Sequence, residues 1–325
     1  MARSIAQAAL RLAKFVLWDA AQLPSALDFA VPAMESGLSS LVVFGASGVV
    51  GEFLLPQLAA RGERVFAISR GEWANAAGVK DIEWSRGDLF GEVPELPPAD
   101  TVLSLGPLDA FAAWFARAAP ASVRRVVALS SMSAESKRDS IDAVERDLSA
   151  RLRGGEALLT QAARERGADC TILRPTLIYG GGRDRSLAPI ARFARRWRVL
   201  PVPQGATGLR QPVHAADLAA ACLAVLANPS TFGKIYPLGG GERVRFDAML
   251  ARIAAGPPRF ALVLPVPFAL ARAGARMFHV GVGALARLGE PLVADNTAAM
   301  RDFGYAPRAF RSRDVLGSAD RSFSD

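Results

Sequence analysis

Apolar positions follow two alternating patterns between residues 40 and 173. Short runs rich in Val, Ile and Leu predict buried strands at 40–44, 64–69, 81–84, 100–105, 124–130 and 169–173. Between them, apolar residues spaced three or four apart predict helices at 49–61, 108–118 and 141–166. Strands that alternate with helices imply a parallel sheet covered by helices on both faces. The predicted fold is therefore α/β, a doubly wound parallel sheet.

Proline and glycine divide the second half of the chain more finely. Helical patterns at 186–197, 214–227 and 246–255 lie between loops rich in Gly and Pro. We predict one main domain over residues 39–312, whose smaller C-terminal substrate lobe is formed mainly by 176–210 and 232–312. The polar residues 313–325 are predicted to be a flexible tail.

The first 38 residues carry a helical apolar stripe, from which Arg3, Arg11 and Lys14 are excluded. Arg11 and Lys14 would interrupt the apolar core of a signal peptide, so secretion is not expected. No apolar run reaches the ~18 residues of a membrane-spanning helix. We expect an amphipathic helix that docks on its own domain, on a partner protein or at a membrane surface.

Charge and cysteine content exclude several classes of protein. The 39 basic and 31 acidic residues give a net charge of +8, but the basic residues are dispersed and accompany no nucleic-acid motif. We therefore expect no nucleic-acid partner. The two cysteines lie in apolar patterns, which favours a reducing, cytoplasmic location. The two histidines, His214 and His279, lie in separate segments, so no metal site is expected.

The most informative segment is a glycine turn between the first strand and the first helix. Gly45 permits a sharp turn, Gly48 lets a phosphate approach the backbone, and Gly51 allows close packing of helix on strand. The N–H groups at the start of the helix then point toward the anion. This arrangement predicts a site for a dinucleotide pyrophosphate formed by Gly45, Ser47, Gly48, Val49, Val50 and Gly51.

The end of the second strand bears on the choice of cofactor. NAD sites usually place an acid there, but this strand ends in Ser69 and Arg70. A guanidinium matches a ribose 2′-phosphate, so Arg70 favours NADP(H), with NAD(H) as the alternative. Arg70 could equally end the strand in solvent. Asp88 and Leu89, after the third strand, are candidates for the adenine side, or form an ordinary Asp turn.

These segments resemble the extended short-chain dehydrogenase/reductase superfamily, of the NAD(P)-dependent epimerase/dehydratase type, over roughly residues 40–310. The resemblance rests on Gly45–Gly51, Gly87–Leu89, Leu129–Ser131, Leu173–Gly180 and Arg210–Ala219. It implies that Arg174 and Pro175 line the nicotinamide side and that Arg210 contacts substrate phosphates. It also implies a small-molecule substrate, and dimerisation through helices such as 108–118 and 141–166.

The chain departs from this family at the acid/base pair. Family enzymes use Tyr-x-x-x-Lys, in which the lysine lowers the pKa of the tyrosine. None of the three tyrosines is followed by a lysine at that spacing. The expected places hold Leu148 and Leu152, and the helper serine falls on Met132. The remaining candidates for a proton donor are Ser131, Ser133, Arg151 and Tyr179.

Two functional hypotheses follow from these residues. The first is an NADP(H)-dependent oxidoreductase or epimerase-like enzyme that acts on a small or nucleotide-linked carbonyl or alcohol. The second is a non-catalytic dinucleotide-binding scaffold, redox sensor or complex subunit, with residues 1–38 as its docking element. A cytoplasmic protein at the periphery of a membrane is a weaker alternative.

Overall fold

The computed structural model describes residues 40–71, 82–256, 260–269 and 287–317. The helix predicted over residues 1–38 lies outside these residues. The strands are β1 (Ser40–Phe44), β2 (Arg64–Ser69), β3 (Ile82–Arg86), β4 (Thr101–Ser104), β5 (Arg125–Leu129), β6 (Asp169–Pro175), β7 (Ile178–Tyr179), β8 (Val199–Pro203), β9 (Leu209–Arg210), β10 (Val213–His214), β11 (Lys234–Leu238), β12 (Val244–Arg245) and β13 (Leu262–Val266). The α-helices are α1 (Val49–Ala60), α2 (Leu108–Ala118), α3 (Ser133–Ser136), α4 (Ala143–Glu165), α5 (Leu187–Trp197), α6 (Ala215–Leu226), α7 (Phe246–Ala254) and α8 (Thr297–Phe303).

Seven parallel strands form the central sheet, in the order β11-β6-β5-β4-β1-β2-β3. The chain moves outward in one direction from β1 to β3 and in the other from β4 onward. The boundary between β1 and β4 is therefore the switch point at which ligands bind in such sheets. Strand β11 was not predicted from the sequence, because Pro237 breaks its pattern, and it occupies an edge where proline is tolerated.

Both faces of the sheet are covered, which confirms the doubly wound fold. Along β1, Leu41 and Val43 belong to a first core cluster with α1 and α6, whereas Val42 and Phe44 belong to a second cluster with α2 and α4. This alternation follows from the two-residue period of a strand. Helix α4 begins at Asp142, whose side chain accepts a hydrogen bond from the Val144 N–H and so caps the helix.

A third core cluster forms the C-terminal lobe, in which α5, α7, β8 and β13 pack together. Val315 is fully buried in this cluster, and its carbonyl accepts a hydrogen bond from the Gly182 N–H at 3.1 Å. The flexible tail was predicted to begin at residue 313. This boundary is too early, because residues 313–317 pack on the lobe. Among the described residues, no helix is both long and apolar enough to cross a membrane.

Adjacent glycines in α4 differ in what surrounds them. Nothing lies within 4 Å of a Cβ built on Gly154, whereas one built on Gly155 would lie 3.1 Å from the Asp109 Cα of α2. We expect Gly154→Ala to stabilise the protein by about 0.5–1 kcal/mol through helix propensity. Gly155→Ala should lower the melting temperature, because α2 and α4 must move apart.

Thermal unfolding of the two single variants checks this prediction, since each serves as the control for the other. A Gly155→Ala protein at least as stable as Gly154→Ala would show that the contact between α2 and α4 is not tight.

Candidate functional site

A cleft of about 930 Å³ opens at the carboxyl edge of the sheet, at the switch point between β1 and β4. Its walls come from the segments that follow β1 to β6, together with the loop that precedes α5. The segments meet there because parallel strands all end at the same edge. The predicted residues that line the cleft are Gly45, Ser47, Gly48, Val49, Arg70, Asp88, Leu89, Ser131, Ser133 and Pro175.

The glycine turn has the geometry that a dinucleotide pyrophosphate requires. Gly45 has a φ of +71°, and a Cβ there would lie 2.9 Å from the Gly106 nitrogen. A Cβ on Gly51 would lie 1.9 Å from the Ala46 carbonyl oxygen, so only glycine permits this approach of α1. Gly48 precedes α1, and no side chain caps the helix. The first N–H groups of α1 are thus available for an anion.

Two residues of the predicted turn act from behind the cleft. Val50 is buried in the first core cluster, and Gly51 contacts the backbone of Ala46. They position the turn and do not line the cleft.

The part of the cleft predicted to hold the adenosine is formed by the ends of β2 and β3. Arg70 is exposed at the end of β2 and lines the cleft. The Ser69 hydroxyl donates to the Ser47 hydroxyl at 2.7 Å, which links β2 to the glycine turn. Asp88 also lines the cleft, while its Oδ1 accepts a hydrogen bond from the Phe90 N–H at 3.1 Å in an Asp turn. Among the described residues at the end of β2, Ser69 to Gly71, none carries a carboxylate.

The opposite wall lacks the acid/base pair. Ser131, Met132 and Ser133 line the cleft, and the Ser131 Oγ accepts a hydrogen bond from the Ser133 N–H at 3.1 Å. Leu152 packs against the second core cluster, and Leu148 is half-buried. Neither leucine lines the cleft, and neither can transfer a proton.

The structure does not bring Tyr179 to the cleft, contrary to its choice as a proton donor. Tyr179 is fully buried in the third core cluster, between His214 and Phe310. Its hydroxyl accepts a hydrogen bond from the Arg311 N–H at 3.3 Å. Burial raises the pKa of Tyr179 to about 12. This side chain holds the lobe together.

Arg210 also lies away from the cleft, although the resemblance implied a contact with substrate phosphates. It is buried, and its guanidinium donates to the carbonyls of Leu209, Arg287 and Glu290 at 2.6–3.0 Å. Its donors are used in tying β9 to residues 287–290. The sequence could not reveal this role, because the carbonyls come from a segment nearly eighty residues away.

Arg174 does not line the cleft, although the resemblance implied that it lines the nicotinamide side, and it lies in a partly buried network with Glu156 and Glu135. Its Nε donates to the Glu156 carboxylate at 2.7 Å, and its Nη1 donates to Glu135 at 3.0 Å. The Ser130 hydroxyl donates to the same Glu156 carboxylate at 2.5 Å. The hydrogen bond with Glu156 raises the pKa of Arg174. The network joins the end of β5 and strand β6 to helix α4.

Lys137, which the sequence analysis did not select, lines the cleft together with Ser131 and Ser133. Its Nζ lies 3.5 Å from the Glu145 carboxylate. Burial, followed by the charge of Arg287, lowers the pKa of Lys137. Its place in the cleft depends on α3, a single turn that the hydrophobic pattern does not mark.

Arg183 connects the C-terminal lobe to the glycine turn. Its Nη2 donates to the Ser47 carbonyl at 3.1 Å, and its Nη1 lies 3.9 Å from Glu52 on α1. The next residue, Asp184, lines the cleft and accepts hydrogen bonds from three N–H groups at the start of α5. The Gly180–Gly182 loop marked this region in the sequence, but not which of its neighbours reach the turn.

Comparison with known proteins agrees with this geometry. A model of the NAD dependent epimerase/dehydratase family matches residues 116–239. The matched stretch runs from the last turn of α2 to the end of β11 and agrees with the resemblance noted in the sequence. The chain is similar to the structure of MoeE5 in complex with UDP-glucuronic acid and NAD, with a TM-score of 0.64 and 18% identity. That alignment covers 85% of this chain and 96% of MoeE5.

Another similar structure is that of a UDP-glucuronic acid 4-epimerase from Bacillus cereus in complex with NAD. It has a TM-score of 0.62 and 15% identity, over 86% of this chain and 97% of the epimerase. These two likenesses support the fold.

Two curated relatives are named as subunits of NADH dehydrogenase. The chain is 28% identical to subunit 9 of the NADH dehydrogenase [ubiquinone] 1 alpha subcomplex, mitochondrial, from Arabidopsis thaliana, over 86% of this chain and 78% of that protein. The subunit of the same name from Dictyostelium discoideum is 30% identical over 34% of this chain and 31% of its own length.

The buried pair of Arg174 and Glu156 generates a stability prediction. Arg174→Met leaves the Glu156 carboxylate, which is 3% exposed, without its cation. We expect a loss of about 3–5 kcal/mol in the free energy of unfolding. Arg151→Met is the control, because Arg151 pairs with Asp109 at 2.9 Å but has 53% of its side chain exposed. Its loss should stay below about 1 kcal/mol.

Urea unfolding of both variants measures the difference. Equal losses in the two would mean that the buried network contributes no more than a surface ion pair.

Proposed function

We propose that this protein is an NADP(H)-binding subunit of a larger redox assembly and has no dehydrogenase activity of its own. The observation that carries the proposal is the asymmetry of the cleft. The glycine turn, the open N-terminus of α1 and Arg70 are in place for a dinucleotide. Leu148 and Leu152 occupy the positions at which the resemblance expects the tyrosine and the lysine, neither leucine lines the cleft, and no tyrosine lines the part of it that the structure describes.

Arg70 supports the phosphorylated cofactor. It lines the cleft at the end of β2, where an acid would select the 2′-hydroxyl of NAD(H). Its guanidinium can donate two parallel hydrogen bonds to a 2′-phosphate. The solved relatives named above contain NAD, so the preference for NADP(H) belongs to this chain's own residues.

We expect NADPH to raise the melting temperature more than NADH does, and Arg70→Ala to remove the difference. A charge-assisted hydrogen bond of about 1.5–3 kcal/mol corresponds to a loss of roughly ten-fold or more in NADPH affinity. Arg64→Ala is the matched control, because Arg64 is exposed at the other end of the same strand. Thermal shift titrations with both cofactors give the measurement. Equal shifts in the unmodified protein would contradict the role of Arg70.

The similarity to subunits of NADH dehydrogenase supports the assembly role. In this proposal, residues 1–38 are the docking element toward a partner protein. A homo-oligomer, a cytoplasmic location and a peripheral membrane contact of residues 1–38 stay predictions from the sequence.

Purification without added cofactor, followed by mass spectrometry of what remains bound, tests the proposal. The expected result is retained NADP(H) without a second ligand, in a protein that migrates with a large complex in native electrophoresis of its own cells. A retained sugar nucleotide, or migration as a free monomer, would contradict it.

A second candidate function rests on Lys137. A reduced nicotinamide bound in the cleft would supply hydride to a carbonyl carbon. The Lys137 ammonium, close to Ser131 and Ser133 on the same wall, could donate the proton to the carbonyl oxygen and yield the alcohol. A lowered pKa makes an ammonium a better acid near neutral pH. This candidate is an atypical NADPH-dependent carbonyl reductase.

NADPH oxidation with a panel of small and nucleotide-linked carbonyl compounds separates the two functions. The subunit proposal predicts no substrate-dependent loss of absorbance at the nicotinamide band. The reductase predicts a loss that Lys137→Met reduces by about 10²-fold or more, the usual contribution of general acid catalysis. Arg138→Met is the control, because Arg138 is exposed on the next position. Oxidation that survives in Lys137→Met would rule out this lysine as the acid.

A further inference from the structure

The outer face of the C-terminal lobe is apolar. Strands β8 and β13 form a two-stranded parallel sheet, in which Leu262 lies opposite Val199 and Leu264 lies opposite Pro201. Leu262 and Leu264 are 66% and 43% exposed. Leu200 and Val202 of β8 are buried in the third core cluster, and Val263 of β13 packs against it. One face of this small sheet therefore presents only apolar side chains to the outside.

Helix α5 adds aromatic side chains beside this sheet. Phe193 and Trp197 lie one turn apart, with ring centroids separated by 6.4 Å, and both are exposed. Arg198 joins the helix to the sheet, because its Nε donates to the Phe260 carbonyl at 2.7 Å and its own carbonyl accepts from the Leu262 N–H at 2.9 Å. We call the exposed set the lobe patch: Phe193, Trp197, Phe260, Leu262 and Leu264.

The two segments that carry the lobe patch have charges of one sign. Residues 187–203 and 260–269 contain four arginines and no Asp or Glu. The Arg196 guanidinium lies 5.2 Å from the centroid of the Trp197 ring, and Arg196 and Arg198 are exposed. A partner of this surface must therefore accept apolar side chains and carry negative charge.

We propose that the lobe patch docks on an anionic lipid bilayer. Exposed Trp and Phe beside arginines on one short helix are typical of segments that lie in the headgroup region, where aromatic rings bury and cations meet lipid phosphates. A second copy of the chain fits poorly, because a symmetric contact would bring the arginines of both copies together. The described helices do not cross a membrane, so the contact is peripheral. The proposal is independent of the cofactor site and of residues 1–38.

Co-sedimentation of the full chain with vesicles tests the proposal. We expect binding to phosphatidylcholine vesicles that contain about 30 mol% phosphatidylglycerol, weakened by salt, and little binding to phosphatidylcholine alone. The double variant Phe193→Ser, Trp197→Ser and the single variant Arg196→Glu should each bind at least about ten-fold more weakly.

Two controls match these changes elsewhere on the protein. Val144→Ser removes an apolar side chain that is 76% exposed, and Arg61→Glu reverses an exposed charge. Both should bind within about two-fold of the unmodified chain. An unchanged melting temperature without cofactor verifies that each variant is folded.

Three results would overturn the proposal. The first is an absence of binding to anionic vesicles by the full chain. The second is equal binding by the patch variants, which contact through residues 1–38 would produce. The third is a patch-dependent self-association without vesicle binding, which would identify a second copy as the occupant.

Discussion

The cleft depends on one close approach, between the first turn of α1 and the end of β1. A side chain at Gly51 would overlap the Ala46 carbonyl, so the helix can reach this position only because glycine is there. The same turn passes the backbone of Gly106 after β4, on the other side of the switch point. The open N–H groups of α1, the end of β2 and the loop after β4 face one cleft because this approach is allowed.

The ion pair of Arg174 and Glu156 has a structural role. The Glu156 carboxylate accepts hydrogen bonds from Arg174 and from Ser130. These bonds connect helix α4 with strand β6 and with the residue that follows strand β5. Such a network is stable only when each partner is satisfied, since a lone buried carboxylate is costly. Leu148 and Leu152, at the positions where the resemblance expects the proton-transferring pair, do not line the cleft.

The fold was largely predictable from the sequence, and the cofactor half of the cleft followed from local signals. Strands β1 and β2 have the predicted bounds because glycine and polar residues end their apolar runs. Tertiary contacts decided the rest. Arg210 and Tyr179 carry groups suited to a site, but their partners come from segments far along the chain. Strand β11 forms because it pairs with β6 at the edge of the sheet. Val315 is buried because it packs in the third core cluster.

Helix α5 connects the cleft to the outer face of the lobe. At its N-terminus, Asp184 lines the cleft and holds the N–H groups of the first turn. At its C-terminus, Trp197 belongs to the lobe patch, roughly 16 Å away at the rise of an α-helix. A ligand at one end of the helix can affect binding at the other end only if the helix adopts two positions and the ligand has a different affinity for each. The hydrogen bonds of Arg183 and Arg192 to the glycine turn and to Gly182 fix one such position.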